Sequence, residues 1–464
     1  MKWSEFGEAG ARAADWAQKY HETLSDRPVR ARTSPGDIAA QIPLAPPDTP
    51  EALDTILGDL DRIVLPGMTH WQHPRFFAYF PANAAPVSVL AEYYVSAMAA
   101  QCMLWQTSPA ATELETRVVD WMRQAVGLPE GFAGSIQDSA STATLCAVLT
   151  IREKALGWAG NREGLAGQKP VRIYASDQVH SSIDRAIWVA GIGEANLVRI
   201  PVSGPARAMD VGALRAAIAR DRAEGLLPAG VIACVGGTSV GATDNLREVL
   251  AVARDEGLYS HVDAAWAGAA MICPEFRTLW AGVELADSVV LNPHKWLGAQ
   301  FDCTTHFLAD PADLVRTLAI QPEYLKTAGA DGIINYSEWT VPLGRRFRAL
   351  KLWFLIRAHG LDGLREMIRN HVRWSARLAD RLDKVDGIEI VTEPMLSLFS
   401  FRLTAGEAKT EALLHRINDD GRIYLTQTRV DGAYVIRFQA GAFTTTEADI
   451  DMAFEVITDL AREV

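Results

Sequence analysis

The sequence predicts an α/β fold built on a mostly parallel central sheet flanked by helices, and three observations support this prediction. Short apolar runs alternate with helical patterns through the middle of the chain. The chain has 464 residues, of which 49% are hydrophobic, which suffices for a large core and more than one domain. After Arg345 the pattern changes to a long helix, short strands and a final helix, which predicts a small C-terminal α+β domain.

The N-terminal segment is predicted to be helical. Residues 3–24 have an amphipathic pattern, and residues 41–50 form a proline-rich connector. Pro50 is expected in the first turn of a second helix that ends near Leu65. Because two isolated helices cannot bury their apolar stripes, we expect the segment to pack on the rest of the chain or on a second subunit.

Nine strands are predicted beyond this segment. Six belong to the central sheet, at residues 171–175, 196–200, 230–235, 258–263, 287–291 and 304–308. Helices are expected between several of them, at residues 209–224 and 246–256. The last three strands, at residues 387–392, 397–403 and 434–439, precede a final helix that begins at Thr445. We place the boundaries at residues 1–85 for the N-terminal segment, 86–350 for the large domain and 351–464 for the small domain.

Composition excludes several classes of protein. The net charge is −12, which disfavours binding to nucleic acid or to an anionic membrane. No stretch of 18 uncharged apolar residues and no signal-peptide pattern occurs, so we expect a soluble cytoplasmic protein. The five cysteines are isolated and include no C-x-x-C pair, so neither a metal site nor a disulfide framework is expected.

Two polar residues at predicted strand ends suggest chemistry. The run NPHKW, which contains Lys295, directly follows the strand at residues 287–291, and a buried lysine there can avoid its charge by forming an imine with an aldehyde. Asp263 closes the strand at residues 258–263 and would face the same crevice beyond the carboxyl ends of the strands. A carboxylate there can pair with a protonated pyridine nitrogen. Taken singly, a solvated lysine and a helix-capping aspartate are the commoner interpretations.

Two further features could complete a cofactor site. The run QDSASTAT at residues 137–144 opens a helix with small hydroxyl residues, which suits a phosphate group but is also typical of an ordinary helix cap. His180 lies just past another predicted strand, where an imidazole could stack on a flat heterocycle or simply be a polar loop residue. Together the four features supply a phosphate site, a ring-stacking group, a pyridinium partner and an imine-forming lysine.

With these four features, the chain closely resembles the group II pyridoxal-5′-phosphate (PLP)-dependent decarboxylases of fold type I, and among them the aromatic-L-amino-acid decarboxylases. The resemblance covers nearly the whole sequence. It includes the segments PGMTHW (66–71), FFAYFP (76–81), SPA (108–110), TELE (112–115), CPEFR (273–277) and PLGRRFR (342–348). It implies decarboxylation of an aromatic L-amino acid to the arylalkylamine and CO2, with PLP as cofactor, in a homodimer with composite active sites.

The resemblance also implies a role for individual residues. The catalytic residues would be Lys295, His180, Asp263 and Tyr324, with Tyr324 on a mobile loop as the favoured proton donor to Cα. PLP would contact Lys295, His180 and Asp263. It would also contact Ala140, Ser141, Thr238, Ala265, Asn292 and His294, and Gly344 from the neighbouring subunit. The substrate would contact His180, Thr238, Trp71, Tyr79, Phe80, Pro81 and Ala82, with Gln101 and Met103 contributed across the dimer interface. Gln101 could recognise a ring hydroxyl or an indole N–H.

Three alternative functions are compatible with the same residues. An aromatic aldehyde synthase has the same scaffold, although such relatives commonly replace the tyrosine at position 324 by phenylalanine. Decarboxylation of histidine or another amino acid is a second alternative, and a catalytically silent PLP-binding protein is a third. No cation is recognised for an acidic substrate side chain, and the direction of Arg75 cannot be read from the sequence.

Overall fold

The protein divides into two structural units. The computed structural model describes residues 1–320 and 332–464. One unit, called the terminal unit here, consists of Met1–Pro81, Arg377–Val391 and Ser400–Val464. The other, called the sheet unit, consists of Ala82–Ala376 and Thr392–Phe399.

The N-terminal helices are shorter than the sequence patterns suggest. The amphipathic helix is confirmed as α1 (Trp3–Glu22), and none of its residues is buried. The second helix, α2 (Leu53–Asp59), continues through a π-helical turn at Leu60–Val64. The prediction that Pro50 lies in its first turn is wrong, because the backbone of Ala52 is extended (φ −66°, ψ 143°) and the helix begins after it.

A seven-stranded sheet forms the core of the sheet unit. Its strands and those of an adjoining two-stranded ribbon are β1 (Ala133–Gln137), β2 (Val171–Ser176), β3 (Leu197–Ile200), β4 (Val202–Ser203), β5 (Ala208–Met209), β6 (Leu227–Cys234), β7 (Tyr259–Asp263), β8 (Ser288–Leu291) and β9 (Thr304–Leu308). The order in the sheet is β1-β9-β8-β7-β6-β2-β3, and β4 pairs with β5 in the ribbon. Strand β9 is antiparallel to the other six strands of this sheet, which are parallel to one another and therefore have their carboxyl ends at the same edge.

Helices accompany these strands along the chain. They are α3 (Pro86–Met98), α4 (Pro109–Val126), α5 (Ala140–Ala155), α6 (Gly160–Glu163), α7 (Ser182–Val189), α8 (Val211–Ala223), α9 (Leu246–Asp255), α10 (Ala312–Leu318) and α11 (Ala349–Asp383). The long α11 is interrupted at Gly360, whose φ of 61° and ψ of 169° are not helical. The six central strands and the two intervening helices that the sequence predicts are all present.

A four-stranded antiparallel sheet follows α11. Its elements, with two helices, are β10 (Ile388–Met395), β11 (Leu398–Leu403), α12 (Glu407–Asp420), β12 (Thr426–Val430), β13 (Ala433–Gln439) and α13 (Glu447–Ala461), and the strand order is β10-β11-β13-β12. The three predicted C-terminal strands and the final helix are confirmed. Four of the described strands were not predicted: the two-residue strands β4 and β5, β1, whose sequence AGSIQ has a single β-branched residue, and the polar edge strand β12, TQTRV. Within the described residues, no helix is long and apolar enough to cross a bilayer.

Candidate active site

Three of the predicted catalytic residues lie at or shortly after the carboxyl ends of strands in the central sheet. Asp263 is the last residue of β7, Lys295 lies four residues after β8, and His180 lies four residues after β2. The order β8-β7-β6-β2 places these strand ends within one stretch of the edge. This is the crevice in which ligands of parallel sheets bind.

The charges of Asp263 and Lys295 both act on His180. The pKa of His180 lies below its usual value of 6.5, first because burial disfavours the imidazolium. The carboxylate of Asp263 raises this pKa and the ammonium of Lys295 lowers it further. Asp263 and Lys295 therefore both lie near His180, although they are 83 and 115 residues from it in the numbering.

The Asp263 carboxylate is oriented by the backbone that follows it. Its Oδ1 accepts a 3.0 Å hydrogen bond from the amide of Ala265. Among residues 1–320 and 332–464, no donor pairs with its second oxygen, Oδ2. Asp263 is only 8% exposed, so a cationic partner would interact with it in a region of low dielectric constant. Ala265 itself is partly exposed, between the buried Ala264 and Trp266.

Lys295 lies on a turn that is fixed at its backbone. Its amide donates to the carbonyl of Asn292 (3.0 Å), and its own carbonyl accepts from Nδ2 of Asn83 (2.7 Å). Lys295 is partly exposed, whereas its neighbours His294 and Trp296 are buried. The turn therefore leaves an opening at the lysine in an otherwise closed segment.

The predicted phosphate residues lie at the start of α5. Ser139 caps this helix, since its Oγ accepts from the amide of Thr142 at 3.2 Å. The amides of Ala140 and Ser141 belong to the first turn and cannot have partners within the helix. Ser141 is exposed and Ala140 partly so. These amides and the positive end of the helix suit an anion such as a phosphate.

Asn292 and His294 support the lysine turn with their side chains. Oδ1 of Asn292 accepts from the hydroxyl of Thr304 (2.6 Å), and Nδ1 of His294 accepts from the amide of Cys303 (3.0 Å). Burial lowers the pKa of His294 to about 3, and the ammonium of Lys295 contributes to this shift. His294 is thus neutral at ordinary pH, with its proton on Nε2.

Gly344, predicted to contact the phosphate, lies beside Gln101. The amide of Arg345 donates to Oε1 of Gln101 at 2.8 Å, so this side chain contacts the loop of Gly344. Gly344 also lines a cleft of about 30 Å³ together with Asp138 and Arg348. The glycine and the loop before α5 therefore meet within a single chain.

Thr238 lies in a tight turn that follows β6. Gly236 in this turn has a φ of +78°, and a Cβ there would lie 2.5 Å from Cβ of Ala267 and 3.1 Å from the Trp266 ring. The turn thus packs closely on the segment after Asp263. Thr238 remains partly exposed, as does Met103, and Ala82 precedes the buried Asn83.

The predicted aromatic substrate residues belong to the terminal unit. Trp71 and Tyr79 are 39% and 49% exposed, and their rings stack at 5.7 Å. Phe80 and Pro81 are buried. Tyr79 has a φ of 46°, which is rare for a residue with a side chain and marks local strain.

Sequence reasoning missed Arg437, which lies behind these aromatics. Nη1 of Arg437 donates to the carbonyl of Tyr79 (2.8 Å), and its guanidinium lies 4.6 Å from the centre of the Phe80 ring. Within the described parts of the chain, its Nε and Nη2 have no hydrogen-bond partner. Burial lowers the pKa of Arg437 to about 9. The only sequence signal is an arginine within the apolar strand YVIRFQ.

Sequence reasoning also missed Asn83 and His371, which contact the lysine turn and are both buried. Nε1 of Trp296 donates to Nδ1 of His371 at 2.9 Å. Asn83 could have been noticed as a polar residue in the run PANAAP, whereas nothing in the sequence connects His371 with the turn. The predicted proton donor, Tyr324, falls outside the described residues.

The residues at the carboxyl edge fit PLP. Partly exposed Ala265 and Lys295 border an opening between buried neighbours, and the Asp263 carboxylate has a free oxygen within the described structure. Small residues would be needed beneath a flat ring, and alanine is the smallest with a Cβ. Lysine amine, carboxylate and helix-terminal amides match the aldehyde, pyridine nitrogen and phosphate of PLP. The described residues contain no cluster of three or more acidic, histidine or cysteine side chains suited to a metal.

Comparisons with known proteins agree with this chemistry. The family profile described as the pyridoxal-dependent decarboxylase conserved domain matches residues 35–404. Aromatic-L-amino-acid decarboxylase of Mus musculus is 40% identical over 474 residues, which cover 99% of this chain and 98% of the relative. Phenylacetaldehyde synthase of Arabidopsis thaliana is 37% identical over 477 residues, covering 99% and 96%.

The crystal structure of Oryza sativa TDC with PLP and tryptamine has a similar fold. It superposes with a TM-score of 0.96 at 34% identity, and the match covers 100% of this chain and 99% of that one.

Proposed function

Because the chain belongs to the pyridoxal-dependent decarboxylase family, we propose that it converts an aromatic L-amino acid to the arylalkylamine and CO2. Membership confirms the predictions of fold type I, of a PLP-dependent enzyme and of decarboxylase activity. The observation that supports the residue assignments is that Asp263 and Lys295 both lie near enough to His180 to shift its pKa.

The assigned residues would bind the cofactor at three points. The Lys295 amine would bind the aldehyde carbon, the Asp263 carboxylate would pair with the pyridine nitrogen, and the amides of Ala140 and Ser141 would bind the phosphate. Bound PLP supplies an electron sink for the pair of electrons that remains at Cα when CO2 departs. Asp263 would support this capacity, because a negative charge beside the pyridine nitrogen would favour its protonated form.

Two side chains are proposed to orient and protonate the substrate. His180 is neutral at ordinary pH and accepts at Nδ1 from the amide of Ser182 (3.1 Å), so its proton lies on Nε2, where it can donate. We propose that His180 lies against the cofactor ring and that Tyr324 delivers the proton to Cα. Thr238 is the proposed contact for the departing carboxylate.

Residues of the terminal unit support an aromatic substrate. Exposed Trp71 and Tyr79 offer apolar ring surface. Arg75, the nearby cation in the sequence, is already occupied by the carbonyls of Ser25 (2.6 Å) and Arg422 (2.8 Å) and by Asp449 (3.3 Å). It is therefore a poor ligand for a second substrate carboxylate, which disfavours an acidic substrate.

An aldehyde synthase is the second candidate, favoured by the 37% identity to a phenylacetaldehyde synthase. Tyr324 argues for simple decarboxylation, since the resemblance associates aldehyde formation with loss of this tyrosine. Wild type should release amine without peroxide or ammonia, and Tyr324→Phe should shift the products towards aldehyde, peroxide and ammonia. Aldehyde from wild type in amounts equal to CO2 would favour the second candidate.

The main experiment is a substrate panel with PLP-loaded enzyme. DOPA, tyrosine, phenylalanine, tryptophan and 5-hydroxytryptophan are compared with histidine and glutamate, and CO2, amine, aldehyde and peroxide are measured together. We expect amine and CO2 in equal amounts from at least one aromatic substrate and none from Lys295→Ala. The absence of CO2 from every aromatic substrate, with turnover of histidine or glutamate, would refute the aromatic assignment.

We further propose a cytoplasmic homodimer. Helix α3 exposes five large apolar residues, Val89, Leu90, Tyr93, Tyr94 and Met98, and α1 buries none of its residues, which supports an additional contact surface. A composite site can be tested by co-expressing Lys295→Ala with Gly344→Asp. If Gly344 serves the neighbouring site, each mixed dimer keeps one of its two sites, so an equal co-expression in which about half of the dimers are mixed should restore about a quarter of wild-type activity. No restoration in a verified mixed dimer would place both residues in the same site.

A further inference from the structure

The adjacent residues Lys295 and Trp296 are held from two sides by buried side chains. On one side, Nδ2 of Asn83 donates to the carbonyl of Lys295 at 2.7 Å. On the other, the indole N–H of Trp296 donates to Nδ1 of His371 at 2.9 Å. Asn83, Trp296 and His371 are at most 1% exposed, so water does not compete for either hydrogen bond.

The contact of Asn83 is one of several hydrogen bonds between residues 83–88 and residues 294–300. The amide of Asn83 donates to the carbonyl of His294 (3.1 Å), and the amide of Ala85 donates to that of Gly298 (2.8 Å). Oγ of Ser88 accepts from the amide of Gln300 (2.6 Å). Residues 83–88 therefore run along residues 294–300, and Asn83 contributes the side-chain bond nearest to the lysine.

The contact of His371 is part of an aromatic stack. Trp296 stacks on Trp266 with ring centres 5.2 Å apart and an angle of 16°, and Trp266 directly follows Ala265. The rings of Trp296 and His371 are within 6° of parallel. Burial lowers the pKa of His371 to about 3, so Nδ1 remains an acceptor throughout the neutral range.

These contacts restrict the part of the chain from which the lysine side chain extends. A lysine side chain has four flexible methylene groups, so its amine is placed accurately only if its backbone is fixed. Rotation of the peptide after Lys295 would break the bond to Asn83 and displace the indole from His371. Loss of either bond would leave a buried polar group without its partner, which makes such rotation costly.

We propose that Asn83 and His371 are positioning residues that together clamp the Lys295 carbonyl and the Trp296 side chain and thereby fix the lysine amine for PLP. The inference rests on the proposed function and extends it to residues that contact neither cofactor nor substrate. The clamp differs from general packing because it acts through two directed hydrogen bonds, one to the carbonyl of Lys295 and one from the indole of Trp296.

The test uses paired variants of the full-length holoenzyme. His371→Leu removes the acceptor, whereas His371→Asn keeps an acceptor near the position of Nδ1. Asn83→Ala removes the donor to Lys295 but keeps the backbone amide that contacts His294. For each protein we would measure the visible absorbance of bound PLP against pH, the rate of PLP loss on dilution, and the melting temperature of the protein without PLP.

We expect His371→Leu and Asn83→Ala to lose PLP about tenfold faster and to shift the pH midpoint of the absorbance, whereas His371→Asn stays close to wild type. The clamp is refuted if the folded variants retain the wild-type midpoint and rate, or if His371→Asn is as impaired as His371→Leu. Should His371→Leu not fold, Asn83→Ala decides alone by the same criteria. Wild type that neither binds PLP nor releases CO2 would refute the proposed function as well, whereas an active wild type with unaffected variants refutes only the clamp.

Discussion

The backbone amide of Ser182 donates a 3.1 Å hydrogen bond to Nδ1 of His180. A nitrogen that accepts from a fixed amide cannot also carry a proton there without losing the bond, so this contact and burial both favour the neutral ring. The pKa of His180 lies below 6.5, lowered by burial and by Lys295 and partly restored by Asp263. The acid limb of kcat/KM assigned to His180 should therefore lie below pH 6.5.

The measurement is a pH profile of kcat/KM for the best aromatic substrate. Activity should be retained as the pH falls to 6.5 and should decline only below it, and the limb should be absent from the residual activity of His180→Gln. Ser182→Ala is the control, because it removes the hydroxyl that contacts Nδ1 at 2.9 Å but keeps the amide. An acid limb above pH 6.5 that disappears in His180→Gln would contradict the prediction.

A methyl group at Gly236 should disturb the turn that carries Thr238. In Gly236→Ala, the new Cβ would lie 2.5 Å from Cβ of Ala267, and the φ of +78° is unfavourable for alanine. We expect a loss of about 2–4 kcal/mol in the free energy of unfolding and weaker PLP binding. Chemical denaturation and PLP titration measure both effects.

Gly257→Ala is the matched control for this substitution. Gly257 has a similar φ of +69°, but nothing lies within 4 Å of its Cβ position. It should lose only about 1 kcal/mol, the cost of the backbone conformation, and should bind PLP as wild type does. Equal effects of the two substitutions would mean that the close contact at Gly236 is irrelevant.

The location of Asp263 and Lys295 at the carboxyl edge of the sheet could be predicted because it coincides with a periodic feature of the sequence. Asp263 ends one apolar run and Lys295 lies four residues after another, and parallel strands bring their carboxyl ends to one edge. The contacts that orient them could not be predicted, since Asn83 is 212 residues from Lys295 and His371 is 75 residues from Trp296. Such contacts depend on the direction of each side chain in the folded protein, and this direction cannot be inferred from the periodicity of the sequence.

The same limit applies to Gln101 and to strand β1. The family resemblance predicts that Gln101 contacts the substrate. In the structure, its Oε1 accepts a hydrogen bond from the amide of Arg345. Strand β1 pairs with β9 over five residues, although its own sequence has little β preference. Here pairing with a buried neighbour outweighs local propensity.

Replacing Arg437 should affect substrate binding more than stability. In Arg437→Met, the Tyr79 carbonyl loses its donor, which costs about 1–3 kcal/mol. The substitution also removes a buried guanidinium whose Nε and Nη2 have no partner among the described residues, and this offsets the cost. We expect a free energy of unfolding within about 1 kcal/mol of wild type.

The KM of Arg437→Met for the aromatic substrate should nevertheless rise several-fold. Tyr79 has a strained φ of 46°, and Arg437 provides the hydrogen bond that stabilises this conformation. Arg437→Lys keeps a donor and should have a KM nearer that of wild type. A large loss of stability with an unchanged KM would instead identify Arg437 as a purely structural residue.

The buried pair of His261 and His306 should make stability sensitive to acid. Both rings contact Oγ of Ser288 at 2.8 Å, and burial lowers their pKa values to about 3 and about 4. Between pH 6.5 and about 4 the unfolded chain therefore binds protons that the folded chain does not, so the free energy of unfolding falls as the pH falls through this window.

His306→Leu should reduce that acid sensitivity without a comparable loss at neutral pH. Nδ1 of His306 has no partner among the described residues, and Ser288 keeps its bond to His261, so little is lost at pH 7.5. At pH 5 one such histidine costs about 2 kcal/mol relative to neutral pH, and the variant should recover that amount. Urea unfolding at both pH values measures the difference, with His415→Leu as the control for removal of an exposed histidine. If His306→Leu loses as much stability between pH 7.5 and 5 as wild type does, protonation of this ring in the unfolded chain is not a source of the acid sensitivity.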